Sequence, residues 1–152
     1  MNNAVLYIRG KGGSATESEH YRTLFPDSDV IGLDYKTFTP WETGKEIYRA
    51  VIKLKAEYDC IILIVNSIGA YFSMNADMMT WANVTEDDLK RQDFIPTDFG
   101  EDLSWEYLCY VRDYPIQWEC PTAILYGSHD NLTSCDTITK TINSAVPDYV
   151  IC

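Results

Sequence analysis

Short hydrophobic runs alternate along the chain with segments in which hydrophobic residues recur every three or four positions. Continuous hydrophobic runs are typical of strands that are buried on both faces of a parallel sheet. The runs predict five strands: Ala4–Ile8, Asp29–Leu33, Cys60–Val65, Thr122–Tyr126 and Asp148–Cys152. Cys60–Val65 is the most hydrophobic of them and is therefore predicted to lie at the centre of the sheet.

The segments between these runs contain helix signals. Thr16 and Glu19 have the spacing of a capping box and predict a short helix. Thr39, Pro40 and Glu42 occupy the N-cap, first and third positions of a longer helix. Its hydrophobic residues are spaced by three and four, so one side of this helix should face the core. These residues are Ile47, Ala50, Val51, Leu54 and Tyr58.

The later part of the chain has a different character. Residues 81–119 contain no clear strand and predict two helices, near 85–91 and 102–113. A further short helix is predicted to begin at Thr133, where Asp136 completes a capping pattern.

The alternation of strands and helices predicts a single α/β domain over residues 1–152, with three layers and about five mostly parallel strands. Helical spacing resumes directly after Cys60–Val65, which places Asn66 and Ser67 at a sharp strand-to-helix turn. In such sheets, ligands bind beyond the carboxyl ends of the strands. Three turns are therefore candidate sites: Arg9–Ser14, Asn66–Ala70 and Gly127–Ser134.

Composition narrows the functional classes. Lys and Arg number 12 against 23 Asp and Glu, and the net charge of −11 disfavours binding to nucleic-acid phosphates. No hydrophobic stretch approaches the ~20 residues of a membrane-spanning helix, and the N-terminal run is too short for a signal peptide. We therefore expect a cytoplasmic protein without membrane contact. The five cysteines include no C-x-x-C pair, so neither disulfides nor a zinc site is expected, and no metal or cofactor is predicted.

Ser67 is the candidate nucleophile. A serine on a tight strand-to-helix turn presents its hydroxyl to the cleft, next to backbone N–H groups that stabilise an oxyanion. Gly69, two residues later, allows close packing of such a turn. The alternative is that Ser67 serves only as the N-cap of the following helix.

The other two turns each allow two interpretations. Asp130 follows a predicted strand, where a carboxylate orients a catalytic histidine; alternatively, it forms an Asx turn before the next helix. The glycine-rich segment Arg9–Ser14 offers backbone N–H groups either to an oxyanion or to a phosphate, although it matches neither nucleotide-binding fingerprint. A nucleotide-binding, doubly wound domain is the corresponding alternative for the whole chain.

Together, three segments resemble the α/β-hydrolase superfamily, and more closely its small bacterial esterase-like members. Tyr7–Gly13 is similar to the family's strand-His-Gly-x-Gly-Gly turn, Ile64–Ala70 to its nucleophile elbow, and Pro121–Asp130 to the strand that bears the acid. The order, nucleophile before acid, is also that of the family. The resemblance covers most of residues 4–80 and 118–152.

The resemblance implies roles for four residues. Ser67 would be the nucleophile and Asp130 the acid, while the backbone N–H groups of Lys11 and Ile68 would form the oxyanion hole. Residues 81–119 would be a helical, cap-like insertion. Its aromatic residues either line an acyl pocket or belong to a core: Trp81, Trp105, Tyr107 and Tyr110.

The sequence also departs from the family in four places. The family's catalytic histidine follows the last strand, whereas the two histidines here, His20 and His129, both precede it. Val65 stands where the family's elbow has glycine or another small residue, and Arg9 replaces the histidine of the first turn. A strand that the family has after the elbow helix is missing. We therefore expect a reduced or truncated α/β-hydrolase fold.

The functional expectation is a serine hydrolase that acts on a small carboxylic ester or thioester through an acyl-enzyme on Ser67. Because a serine hydroxyl is barely nucleophilic without a base, the alternative is a non-catalytic, ligand- or protein-binding relative that keeps the cleft. The acidic stretch Glu86–Asp102 either selects cationic or neutral substrates or is a solvated face. No oligomeric state is predicted.

Overall fold

A computed structural model describes residues 1–37, 39–66, 79, 82–98, 102–114, 121–125, 136, 139 and 149–151. The chain divides into two compact units, Met1–Ile68 and Gly69–Cys152, called here the first and second unit. Each unit is described by itself. The single α/β-hydrolase-like domain that the sequence predicts stays a prediction.

The first unit contains a parallel sheet of three strands. They are β1 (Asn3–Ile8), β2 (Asp29–Leu33) and β3 (Cys60–Val65), and their spatial order is β2-β1-β3. The register pairs Ile8 with Leu33 on one side and with Val65 on the other, so the three carboxyl ends lie at one edge of the sheet. All three predicted strands are confirmed.

The predicted central position of Cys60–Val65 is wrong for the described part of the sheet. β1 is central, and its residues from Ala4 to Ile8 are at most 5% exposed. β3 lies at the edge of this sheet, where Ile62 is 39% exposed and Val65 is 37% exposed. The hydrophobicity of a run reports its tendency to be buried, whereas strand order depends on pairing between distant segments, which a single run does not encode.

Helix α1 (Pro40–Lys55) covers one face of this sheet, as its hydrophobic spacing predicts. Thr39 is its N-cap and Pro40 its first residue, but the Thr39 hydroxyl donates to Glu42 Oε2 at 2.8 Å instead of accepting a backbone hydrogen bond. Leu54 of the helix packs with Leu6 and Ile8 of β1. The surrounding hydrophobic residues are Ile31, Leu33, Tyr35, Ile47, Val51, Tyr58, Ile61 and Leu63.

A 3-10 helix (Ala15–Tyr21) packs against the opposite face of the sheet. Gly32 shows how close this packing is, because a Cβ atom there would lie 2.0 Å from the carbonyl oxygen of Ala15. The predicted cap at Thr16 is wrong. The N-cap is Ser14, whose backbone is extended, and Glu17 is the third residue of the capping box. The first unit therefore has three layers: α1, the sheet and the 3-10 helix.

The second unit contains the two helices predicted between residues 81 and 119. They are α2 (Glu86–Gln92) and α3 (Trp105–Asp113), and the short antiparallel strands β4 (Phe94–Ile95) and β5 (Leu103–Ser104) pair between them. These two-residue strands were not predicted, because such a short pairing leaves no alternating pattern in the sequence. Three buried leucines form the core of this segment: Leu89, Leu103 and Leu108.

Two further strands of the second unit pair in parallel, β6 (Thr122–Ile124) and β7 (Tyr149–Ile151). They confirm the last two predicted strands with shorter bounds. Asp136 and Thr139 are helical, and the rest of the helix predicted from Thr133 lies outside the described residues.

The fold class is therefore α/β with a small parallel sheet. Within the described residues, no helix is long and hydrophobic enough to cross a membrane.

Candidate functional site

The structure describes one of the four predicted site residues. Lys11 lies in an exposed turn that follows β1, whereas Ser67, Ile68 and Asp130 lie outside the described residues. Asn66, which directly precedes Ser67, donates its backbone N–H to the Ile8 carbonyl at 3.0 Å. The last described residue before the predicted nucleophile is thus hydrogen-bonded to the carboxyl end of β1.

The glycine-rich segment after β1 forms a β-turn. The Gly13 N–H donates to the Gly10 carbonyl at 3.2 Å, which closes a four-residue turn with Lys11 at its second position. Gly12, at the third position, has a φ of +75°. A positive φ at the third position is the signature of a type II turn and favours glycine there. The turn and Asn66 therefore emerge at the same edge of the sheet.

Arg9 connects this turn to the carboxyl end of β2. Its side chain is 9% exposed, and its Nε donates to Asp34 Oδ1 at 2.9 Å. Nη1 donates to the Gly10 carbonyl at 3.1 Å, and Nη2 donates to the Tyr35 carbonyl at 2.7 Å. The guanidinium carbon also lies 4.1 Å from the centre of the Tyr35 ring, a cation–π contact. One buried cation thus links the segments that follow two neighbouring strands.

A second pair of polar side chains, Tyr7 and Glu17, lies on the 3-10 helix side of the sheet. Tyr7 is 2% exposed and donates its hydroxyl hydrogen bond to Glu17. The other carboxylate oxygen of Glu17 accepts the Ser14 N–H at 3.1 Å. Glu17 therefore joins the buried strand β1 to the segment that follows the glycine-rich turn.

The protonation of this pair follows from its hydrogen bonds and burial. Desolvation by burial raises the pKa of Tyr7, and the hydrogen bond to Glu17 raises it further, whereas Asn66 opposes the shift. The hydrogen bond from Tyr7 lowers the pKa of Glu17, and the Ser14 amide adds to this effect. At neutral pH, Glu17 is thus a carboxylate and Tyr7 a neutral donor.

Sequence reasoning missed the contribution of Arg9 and of the Tyr7–Glu17 pair. The place of Arg9 at the start of the Arg9–Ser14 turn and its replacement of the family's histidine do not predict that Arg9 is buried and makes three side-chain hydrogen bonds. A signal was present in the sequence, because an arginine that ends a buried strand needs acceptors. Asp34 follows the next strand and is such an acceptor.

Two aromatic residues of the predicted cap-like segment, Trp105 and Tyr110, make local packing contacts. Trp105 packs against the core of Leu89, Leu103 and Leu108, which supports the core interpretation for this residue. The ring of Tyr110 stacks on that of Tyr114 with centroids 4.6 Å apart. Trp81 lies outside the described residues.

Two acidic residues of the same segment, Glu86 and Asp88, pair with arginines. The Arg112 guanidinium donates to both carboxylate oxygens of Glu86 at 2.7 Å, and this contact lowers the pKa of Glu86. Asp88 pairs with Arg91 and accepts the Thr85 hydroxyl, and its pKa is also lowered, chiefly by Thr85. These contacts favour the interpretation of Glu86–Asp102 as a solvated face.

At the described edge of the sheet, the buried Arg9 guanidinium donates hydrogen bonds to the backbone carbonyls of Gly10 and Tyr35. His20 is exposed in the last turn of the 3-10 helix, whereas His129 lies outside the described residues. Among the described residues, no group of three or more potential metal ligands is close enough to hold an ion.

No protein-family model, curated protein or solved structure matches this chain.

Proposed function

We propose that the protein is a serine hydrolase that cleaves a small carboxylic ester or thioester through an acyl-enzyme on Ser67. The observation that carries this proposal is the convergence of two segments at one edge of the sheet. The Gly10–Gly13 turn follows β1, and Asn66 is hydrogen-bonded to Ile8 at the end of the same strand. Because β1 and β3 are neighbouring strands, the segments that follow them lie side by side. This arrangement supports a reduced α/β-hydrolase fold.

The chemistry would proceed in two steps. The Ser67 hydroxyl oxygen would attack the substrate carbonyl carbon and pass its proton to a general base from outside the described residues, and the N–H groups of Lys11 and Ile68 would stabilise the resulting oxyanion. The C–O or C–S bond then breaks, and the alcohol or thiol leaves with a proton. Water hydrolyses the acyl-enzyme to the carboxylic acid and free Ser67. Asp130 would orient the base.

A second candidate function is ligand binding without turnover. The observation that favours it is the position of His20, which is exposed on the 3-10 helix, while the nearby Glu17 carboxylate is already engaged by Tyr7 and Ser14. Without a base, the serine hydroxyl is barely nucleophilic.

Labelling with a fluorophosphonate tests the proposal, because an active serine displaces fluoride from phosphorus and gains a stable adduct. We expect one adduct by intact mass on the wild-type protein and none on Ser67→Ala. Ser28→Ala is the matched control and should still be labelled, since Ser28 lies in a turn before β2. A folded wild-type protein that gains no adduct would contradict the hydrolase proposal and leave ligand binding as the function.

A further inference from the structure

We propose that Arg9 is a positioning residue that fixes the direction of the Lys11 N–H, one of the two proposed oxyanion donors. The inference rests on the proposed function and identifies which buried side chain prepares the site. It assigns no contact between Arg9 and the substrate.

The peptide bond between Gly10 and Lys11 connects the Arg9 side chain to the Lys11 N–H. A peptide unit is planar and trans, so its carbonyl and its N–H point in opposite directions along one plane. The Gly10 carbonyl accepts two hydrogen bonds, from Arg9 Nη1 at 3.1 Å and from the Gly13 N–H at 3.2 Å. Fixing this carbonyl therefore fixes the direction of the Lys11 N–H.

The guanidinium is itself held in place by the segment after β2. Its Nε and Nη2 donate to Asp34 and to the Tyr35 carbonyl, at 2.9 and 2.7 Å, and the Tyr35 hydroxyl donates back to the Arg9 carbonyl at 3.1 Å. The planar guanidinium thus reaches three acceptors at once, which a lysine ammonium cannot do with the same geometry.

The segment that accepts from Arg9 is also tied to helix α1. Glu46 accepts the backbone N–H groups of Lys36 and Thr37, both at 3.1 Å, and the Thr37 hydroxyl at 2.6 Å. These hydrogen bonds hold the two residues that follow Tyr35. The direction of the Lys11 N–H therefore depends on a continuous set of contacts that ends on a packed helix.

The charge of Arg9 should add to its geometric effect. A cation that donates to the peptide carbonyl polarises the peptide unit and makes its N–H a stronger donor. Removing an oxyanion donor outright typically slows catalysis by about 10²- to 10³-fold. A donor that remains but is no longer oriented should therefore slow it by about tenfold to a hundredfold.

The test measures the rate of fluorophosphonate labelling at saturation in Arg9→Gln and Asp34→Asn. Asp34 is 66% exposed, so its variant should fold even if loss of the buried Arg9 side chain is too destabilising. We expect slower labelling in both variants with unchanged half-saturation concentration, partial recovery in Arg9→Lys, and wild-type rates in Arg22→Gln. Arg22 is a suitable control because it pairs with Glu19 at the surface.

A Lys11→Pro background separates positioning from general stability. Proline lacks the N–H, so Asp34→Asn should slow labelling in the wild-type background and have no further effect in this one. Equal slowing in both backgrounds, or wild-type rates in both Arg9→Gln and Asp34→Asn, would overturn the positioning role alone. A wild-type protein that takes no label would overturn this inference together with the proposed function.

Discussion

The hydroxyl of Tyr7 donates a hydrogen bond to the carboxylate of Glu17, and this contact joins the central strand to the 3-10 helix ten residues later. The same carboxylate accepts the Ser14 N–H and completes the cap of that helix. Glu17 therefore stabilises both the packing of the 3-10 helix on β1 and the start of that helix.

Replacement of Glu17 by glutamine should destabilise the protein most at neutral pH. The folded state holds the pKa of Glu17 below its ordinary value of 4.5, so the ionised carboxylate contributes stability above that pH and loses it as the pH falls through the lowered pKa. The difference in unfolding free energy between wild type and Glu17→Gln should thus shrink on acidification. Urea unfolding at several pH values measures it.

Glu19→Gln is the matched control for this prediction. Glu19 pairs with Arg22, and both side chains are more than half exposed, so salt should screen the contribution of this pair. A Glu17→Gln variant with the stability of wild type at pH 7 would contradict the importance of the Tyr7 contact.

Gly32→Ala should destabilise the first unit by about 1–3 kcal/mol or more, because the added Cβ meets the Ala15 carbonyl oxygen at 2.0 Å. Gly44 offers the opposite case, since it lies exposed in helix α1 with no atom within 4 Å of an added Cβ. Gly44→Ala should stabilise the protein by about 0.4–1 kcal/mol. Thermal unfolding of the two variants provides the comparison, and a tolerated Gly32→Ala would show that the 3-10 helix shifts at little cost.

Lys11→Pro should abolish most of the proposed hydrolase activity without disrupting the turn. Proline is favoured at the second position of a type II turn, and the substitution removes one N–H donor. Labelling of Ser67 should slow by about 10²- to 10³-fold. Lys11→Ala keeps the N–H and should label faster than Lys11→Pro. Equal rates in Lys11→Pro and wild type would exclude this N–H from the oxyanion hole.

Leu89→Ala should destabilise the second unit by about 2–5 kcal/mol, because Leu89 of α2 is fully buried in a core with Leu103 and Leu108. Leu125 is 86% exposed after β6, and Leu125→Ala should change stability by no more than about 0.5 kcal/mol. Chemical denaturation followed by tryptophan fluorescence reports both variants. A similar loss in the two would contradict the assignment of this core.

Local patterns predicted the elements of the fold well where the pattern is long. Helix α1 and strands β1, β2 and β3 form where their hydrophobic spacing predicts them. The spacing of hydrophobic residues within a segment encodes whether one face or both faces of a helix or strand are buried. The capping pattern gave the wrong N-cap, Thr16, because Ser14 and Glu17 have the same three-residue spacing as Thr16 and Glu19. The hydroxyl of Tyr7 selects between them by attracting Glu17, and this contact comes from outside the helix.

The contacts around the candidate site were less accessible to sequence reasoning because they join distant segments. Arg9 meets Asp34 across 25 residues, and nothing in the residues next to Arg9 identifies that partner. The glycine-rich turn itself was recognised correctly as a turn after β1, since glycine at positive φ is a local signal. The roles of Ser67, Ile68 and Asp130 stay predictions.

Strand β3 has a practical consequence for work with fragments of this protein. Its six residues include no charge and no proline, and β1 pairs with only one of its edges. In a fragment limited to the first unit, no described residue pairs with the other edge of β3, and unpaired hydrophobic edges recruit strands from other molecules and promote amyloid-like aggregation. Ile62→Lys would introduce a charge there and give the fragment a means of staying monomeric.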